Sequence, residues 1–578
     1  MRLLKYLGLV LMLVLVTGTG IQAQANTVTL TLSVPRFQED FYKNTLVPQF
    51  EAANPGIKIH LVTSDSFGAP VNADQDIADY LDDMEAYVSS ADVLLFDSQS
   101  LNSEATRAGY LLDLAPLVNA DATLNPDDFY PALWRSFQWD GGIWGLPAAA
   151  NTQMLYYDPV AFDAAGLRYP DGSWTLDEFA NTVRTLAKFN ADGTLAVTGL
   201  LAGGGDLAAL MLSLIAEDVV NDSVIPNVPD YSSANLEKLL TTWTELEAEG
   251  ILGFPENGDV TTPLSLGGQF MAVRAVGAGG DEAEVATTLP ALLPGNRVIA
   301  NVNSFGISSG TQYPDAAYIL AKYLTSDPGV ANNFFSFTPA RRSLANSGVV
   351  EEGRPSFNFN SPETEALIQL GLENALVASD LRFANRLVDV SIIVAYGDGI
   401  DVRTTLNDLE SDILTRLQTA TDRRATTQIV VAAVPVAPTL NAGEISLKFA
   451  ATSAMQPMPN EDAWQTAAAD FAASDPEVGF IELETDFPGE LSYMTATYDC
   501  FYMPTNNVKG GDLSLLRSLD PLMSTDPNFS ANDLVGGTLL QAQVDNQTWM
   551  YPMTVQPTSM RYNRELFAQA GAVEPSNG

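Results

Sequence analysis

Side chains able to do chemistry are unevenly supplied in this 578-residue chain. It holds 71 acidic residues, 28 basic ones, a single histidine and a single cysteine. So many carboxylates could provide the two that flank a glycosidic bond in a hydrolase, yet no spacing singles out a pair. Adjacent Tyr156 and Tyr157 could offer phenolate oxygens to ferric iron. The run GAGGD at 277–281 is rich enough in glycine to invite a phosphate. It neither opens a helix nor precedes Lys-Ser/Thr, so it reads as a turn near a cleft. Trp134, Trp139 and Trp144 stand five residues apart, which is not one helix face, and could lay an aromatic plane against an apolar ligand surface. His60 and Cys500 each stand alone, which removes triads, histidine metal sites, intrachain disulfides and cysteine-held metals. A net charge of −43 leaves little to neutralise phosphates or anionic lipid, so neither nucleic acid nor a membrane surface is an expected partner.

These groups must be held by something, and the elements are legible. Residues 1–25 have the form of a secretory signal: Arg2 and Lys5, an apolar run at 7–16, and Ala23-Gln24-Ala25 for cleavage. No cysteine follows the apolar run, so no lipid anchor is expected. Residues 28–34 alternate as a strand, 39–53 carry a helical stripe, and 57–62 read as a second strand holding His60. An acidic amphipathic helix is expected at 74–88 and an apolar strand at 91–96. This β-α-β-α-β order predicts a parallel sheet, with ligands at the carboxyl ends of its strands. Those ends are Pro35 to Phe37, Ser64 to Phe67 and Asp97 to Gln99.

The run from Trp144 to Trp174 passes from Gly-Leu-Pro through a strand ending at Tyr157-Asp158 into a helix stopped at Gly166. Thr175, with Asp177 and Glu178 in the first turn, opens the next helix. Much of the run recurs from Trp549. Over residues 111–170, fifteen of sixty positions are identical to those 405 residues later, without a gap. Phe50 to Pro55 likewise recurs at Phe471 to Pro476. A duplicated domain is expected, since the period is far too long for a solenoid. The expected organisation is a signal at 1–25, a two-lobed domain at 26–424, an uncharged Pro/Val-rich linker at 425–443, and a partial second domain at 444–578.

With these residues in place, the chain resembles the bacterial extracellular solute-binding proteins of ABC importers, within the sugar-binding family that includes maltose-binding protein. The resemblance rests on Phe50 to Ile59, on Trp144-Gly-Leu-Pro with Tyr157-Asp158, and on Phe162 to Leu167 with Trp174-Thr175. It continues through Gly267 to Arg274, Pro314 to Ala317, Tyr323 to Ser326 and Pro339 to Arg342. It covers nearly all of 28–420. Only the first third of a unit recurs after 444.

The resemblance implies an α/β fold of the two-lobed, type II periplasmic-binding-protein kind, plus a partial copy of the first lobe. It implies capture of a solute, a sugar or oligosaccharide, in a cleft that closes about a hinge, with delivery to a membrane permease. It implies a monomer outside the cytoplasmic membrane, not an enzyme, and no cofactor. Positions at strand ends and motif flanks make Phe37, Asp97, Gln99, Trp139 and Asn151 the first-lobe ligand candidates. Trp243, Asp281, Asn303 and Arg341 are their counterparts from the second lobe. A glycoside-acting hydrolase and a ferric-ion binder stay open as alternatives, the latter weakened because the repeat has Arg561-Tyr562 where the first copy has paired tyrosines.

Overall fold

The computed structural model describes residues 27–64, 68–69, 77–193, 195–201, 206–217, 219–221, 228–253, 264–268, 288–332, 338–345, 362–377, 383, 386–396, 401–422, 429–433, 440–452, 461–485, 491–503, 505, 509–553 and 555. Strand β1 (Val28–Pro35) is buried on both faces from Leu30 onward, as a central strand must be. It pairs in parallel with β2 (Ile57–Ser64) on one side and β3 (Val93–Asp97) on the other. The connection from β1 to β2 is helical from Arg36 to Ala53, with one widened turn at Tyr42–Leu46. Helix α1 (Ile77–Ser90) leads into β3. The β-α-β-α-β order expected from sequence is therefore present.

The sheet continues beyond β3 in a way the apolar pattern did not reveal. Next to β3 lies β5 (Ile299–Ile307), antiparallel to it, and next to β5 lies β4 (Leu146–Tyr157), again antiparallel. Further strands at Leu264–Gly268, Leu200–Leu201 and Leu252–Gly253 extend the sheet on the far side of β4. β4 runs twelve residues, and it changes company along its length. Leu146, Ala148, Ala149, Ala150 and Met154 belong to one hydrophobic interior. Leu155 and Tyr157 belong to a second. β4 is thus a strand that passes from one lobe into the other, and β5 makes the return passage.

The second interior collects Phe162 of α2 (Pro159–Ala165), Phe179 and Val183 of α3 (Leu176–Leu186), Trp243 of α4 (Ala234–Ala248), and Leu406 and Ile413 of α6 (Val402–Asp422). Local sequence fixes its helix ends. Asp158 accepts hydrogen bonds from the N–H groups of Val160 and Ala161, and Gly166 closes α2 at φ +66°, where a Cβ would be strained. Thr175 and Glu178 form a reciprocal capping box on α3.

In the first interior, helix α5 (Pro314–Leu324) lies against the sheet and ties to the loop after residue 120. Asp121 accepts hydrogen bonds from Lys322 and from the hydroxyl of Tyr318 (3.1 Å). Burial alone would raise the Asp121 carboxyl, but Lys322, Thr123 and Tyr318 together hold it well below the usual carboxylate range. Its contribution is therefore present above the unfolded carboxylate value, about 3.9, and is lost as pH falls through the lower folded value. Asp121→Asn is expected to cost about 1–3 kcal/mol at pH 7. In thermal melts, the gap from the parent protein should narrow as pH drops below about 4. A gap that is constant from pH 7 to pH 3 would contradict this.

Two compact units make up the chain, dividing between Val434 and Pro435. In the second unit, β6 (Ile445–Thr452) lies between β7 (Val478–Thr485) and β8 (Cys500–Phe501), all parallel. Asp499 accepts from the N–H of Lys448 at 2.8 Å, as Asp92 does from Thr31 at 2.8 Å. Leu32 pairs with Val93 in the first unit, and Phe449 with Cys500 in the second. The hairpin at Gln138–Ile143 has a counterpart at Gln543–Thr548, with Asp140 and Asp545 both at positive φ.

Candidate functional site

The passage between the lobes is where polar side chains gather on buried strands. Directly opposed residues of an antiparallel pair point to the same face, and so do residues two apart on one strand. Asn151 of β4 opposes Asn301 of β5, and Asn303 of β5 opposes Asp97 of β3. Gln153 lies two residues beyond Asn151. One face of the crossing strands therefore carries Asp97, Asn303, Asn301, Asn151 and Gln153. It is amide-rich and, among these residues, uncharged apart from Asp97.

Asp97 is held by its own turn. Its Oδ1 accepts from the N–H groups of Gln99 (2.8 Å) and Ser100 (2.9 Å). Burial pushes its carboxyl above the ordinary value, against the pull of those hydrogen bonds. Gly68 packs beside it: a Cβ there would lie 3.4 Å from Asp97 Oδ2, on a backbone at φ +106°. Ser98, next in sequence, donates through its hydroxyl to Asn301 Oδ1 (2.9 Å), and its Oγ accepts from the N–H of Val302 (3.0 Å). Ser98 thus fixes Asn301 and locks the β3 turn to β5.

The remaining amides are not satisfied. Asn151 Oδ1, Gln153 Oε1 and Asn303 Oδ1 are buried and accept no hydrogen bond among the described residues. A buried acceptor left without a donor costs about 1–3 kcal/mol. Three on one face form an array that a molecule with several O–H donors would complete. Each amide also carries an NH2 donor, so it can both give and accept toward a hydroxyl.

The residues expected from sequence are distributed as follows. Asp97, Asn151 and Asn303 come together on this face, and Gln99 is exposed on the turn beside it. Phe37 lies in the turn after β1; its side chain and all of Asp281 fall outside the described residues. Trp139 sits in the Gln138–Ile143 hairpin, where Nε1 donates to Thr106 Oγ1 at 2.9 Å and the ring lies 6.5 Å from Trp144. Trp243 is in the second interior, 1% exposed and stacked on Phe179 at 6.3 Å. Arg341 was expected from the second lobe and belongs to the first. It lies over the Phe129 ring at 4.3 Å and donates to the carbonyl and hydroxyl of Thr325 and to Asp128. Buried and so engaged, it braces the first lobe rather than presenting a free guanidinium.

Gln153 and Asn301 were not anticipated, whereas Ser98 lies within the strand end expected at Asp97 to Gln99. The signal was available in the alternation Asn151-x-Gln153 and Asn301-x-Asn303, amides spaced two apart inside strands. The paired tyrosines do not converge. Tyr157 turns into the second interior, 5.3 Å from Phe162 and 5.1 Å from Tyr169, while Tyr156 packs against the first. Burial raises both phenols, which disfavours the phenolate a metal would need. Among the described residues there is no cluster of three or more His, Cys, Asp or Glu that could hold a metal, and no helix is long and apolar enough to cross a membrane.

A family profile described as bacterial extracellular solute-binding protein matches residues 45–354. The fold is similar to that of the sugar-binding protein MalE from the phytopathogen Xanthomonas citri, at 18% identity and a TM-score of 0.52, over 68% of this chain and 98% of that one. An ABC substrate-binding protein from Listeria monocytogenes in complex with cycloalternan matches at 15% identity and a TM-score of 0.48, over 68% of this chain and 99% of the other. No curated protein matches the sequence.

Proposed function

Because the chain belongs to the bacterial extracellular solute-binding proteins, we propose that the amide face of its crossing strands is the floor of an interlobe cleft that captures a neutral, polyhydroxylated solute, a sugar or oligosaccharide. The observation that carries this reading is the set of three buried amide acceptors without donors, at Asn151, Gln153 and Asn303. Sugar hydroxyls supply donors in the required number, and the near absence of charge on that face suits a neutral ligand better than an anion. The sugar-binding description of MalE, whose fold this chain shares, agrees with the reading. The lobes close over the solute by hinging at the strands that join them, and the loaded protein docks on the membrane permease of an ABC importer. Export by the 1–25 signal, release without a lipid anchor and a monomeric state complete the proposal.

The second unit is a partial copy of the first lobe in this reading. The repeated identities support it, as do the matched bonds at Asp92/Asp499 and the matched hairpin turns. Asn151 and Gln153 do not recur in it, Gln556 and Thr558 standing at those positions, and in this reading it binds no solute by itself.

Calorimetry on the chain from Asn26, after a thermal-shift screen of neutral oligosaccharides, tests both statements. The expected result is a raised melting temperature for one class of sugar and a stoichiometry of one solute per chain. Stabilisation only by anions or metal ions would overturn the sugar reading, and two equivalent sites per chain would overturn the reading of the second unit. Turnover of aryl glycosides would instead assign an enzyme; glycoside hydrolysis needs a carboxyl pair, and the described amide face brings one carboxylate, Asp97.

A further inference from the structure

Four amides share the face of the crossing strands, and one of them differs from the rest. Asn151, Gln153 and Asn303 have no donor for their carbonyl oxygens among the described residues. Each can turn over about its last side-chain bond, exchanging oxygen for NH2, and break no described hydrogen bond in doing so. Asn301 is held in one sense, because its Oδ1 accepts from the hydroxyl of Ser98 at 2.9 Å.

Ser98 leaves no slack in that bond. It is 2% exposed. Its N–H donates to the carbonyl of Val302 at 2.8 Å, and its Oγ accepts from the N–H of Val302 at 3.0 Å. Among the described residues, the hydroxyl hydrogen then has Asn301 Oδ1 as its acceptor. A turned-over Asn301 would set its NH2 against the same Oγ and strand that hydrogen in the interior. Such a loss lowers the population of the turned-over form by roughly tenfold or more. Asn301 therefore keeps its oxygen toward Ser98 and its NH2 away from it. The residue is only partly buried, and its Nδ2 makes no hydrogen bond among the described residues. It sits in the middle of the face, opposite Asn151 and two residues before Asn303.

We infer that Ser98 is a positioning residue for the solute: it makes Asn301 a fixed donor, to which the solute presents a hydroxyl oxygen as acceptor. The other three amides turn to suit hydroxyls in either sense, and Asn301 does not. A group at that point that can only donate, such as the ammonium of an amino sugar, meets an NH2 and is turned away. The selection is therefore for a neutral sugar over its amino derivative, and it is set by a residue that does not itself touch the solute. This rests on reading the amide face as the floor of a sugar-binding cleft.

The test uses the chain from Asn26, titrated by calorimetry with maltose, cellobiose, trehalose and sucrose. Derivatives of the tightest binder follow, with one hydroxyl at a time replaced by hydrogen or by an amine, at about pH 6 where the amine is charged. The hydroxyl that meets Asn301 is the one whose replacement by hydrogen costs about tenfold in the parent and little in Asn301→Ala. At that hydroxyl, the parent should bind the ammonium derivative more weakly than the deoxy one. Ser98→Ala should reverse this order, by about fivefold or more, because the released amide turns its oxygen to the ammonium. Adding Asn301→Ala to Ser98→Ala should remove the reversal. A serine that serves only the fold would lower affinity for every derivative by one factor, and that result would overturn the inference. So would an unchanged order in Ser98→Ala. Melts of the unliganded variants keep the two readings apart. The losses from Ser98→Ala and Asn301→Ala should not add, since either one breaks the same bond; additive losses would overturn the pairing itself. Non-additive losses with no sugar bound would overturn the sugar reading, and the solute contact with it.

Discussion

Asn303→Ala is expected to weaken solute binding by about ten- to a hundredfold, the loss of one or two hydrogen bonds inside a closed site. The melting temperature of the unliganded protein should stay the same or rise slightly. The two halves of this expectation have one cause. Asn303 is almost fully buried in β5, opposite Asp97, and its Oδ1 has no donor among the described residues. Without solute the amide is a burden on the fold, so its removal relieves a desolvated group. With solute, that group is completed, so its removal leaves a sugar hydroxyl unpaired. A purely structural asparagine would behave in the opposite way, lowering stability and leaving affinity alone. Calorimetry with the sugar found in the thermal-shift screen, beside melts of the unliganded variant, reads both quantities. Affinity equal to the parent's would remove Asn303 from the site. Gln99→Ala is the control: Gln99 lies exposed on the adjacent turn, and its loss should change affinity less than about fivefold. Asn151→Ala should resemble Asn303→Ala, and the double variant should fall short of the product of the two, because groups that share one ligand do not act independently.

How much of this was legible in the sequence differs between elements for physical reasons. The β-α-β-α-β half of the first lobe was readable because its strands are apolar and its turns carry Asn-Pro-Gly and Asp-Ser. The helix ends at Gly166 and Thr175 were readable because capping is local: a few neighbouring residues satisfy the free backbone groups. β4 was readable only at its Tyr156-Tyr157 end. Its first half, Leu-Pro-Ala-Ala-Ala, has no β-branched residue and no alternation, since neighbours on both sides bury it. Its extended form comes from pairing with β5, some 150 residues later in the chain, and no local pattern reports such a pairing. The same gap hid half the site. Asn151 and Asn303 were found by their place after motifs, whereas Gln153 and Asn301 needed the register of the strands. Arg341 was misplaced because the sequence shows a charge and cannot show that Thr325, Asp128 and the Phe129 ring already hold it.

Trp243 separates a core residue from a ligand contact most sharply, and Trp243→Ala is expected to destabilise the second lobe by about 3–5 kcal/mol. The residue lies on α4 among Leu239, Leu240 and Leu246, nearly inaccessible, with its ring stacked on Phe179 at an interplanar angle of 12°. Truncation leaves a cavity the size of an indole in an interior that helices on several sides hold open, so little relaxation can offset it. For a lobe of this size the melting temperature should fall by roughly 10 °C. Trp243→Phe, which keeps a ring against Phe179, should recover more than half of the loss. Its indole Nε1 has no partner among the described residues, so phenylalanine also removes an unsatisfied donor. Affinity measured well below the melting point should stay within a few-fold of the parent's, because the cleft-forming strands β4 and β5 belong largely to the other interior. The reverse pattern, normal melting with affinity lost, would mean that Trp243 leaves its seat when the lobes close and meets the solute directly. That outcome would require α4 to move against α3 during closure, so that the second lobe would not turn as a rigid body. The pair of melts and titrations on this one residue therefore reads both the stability of the lobe and the manner of its motion.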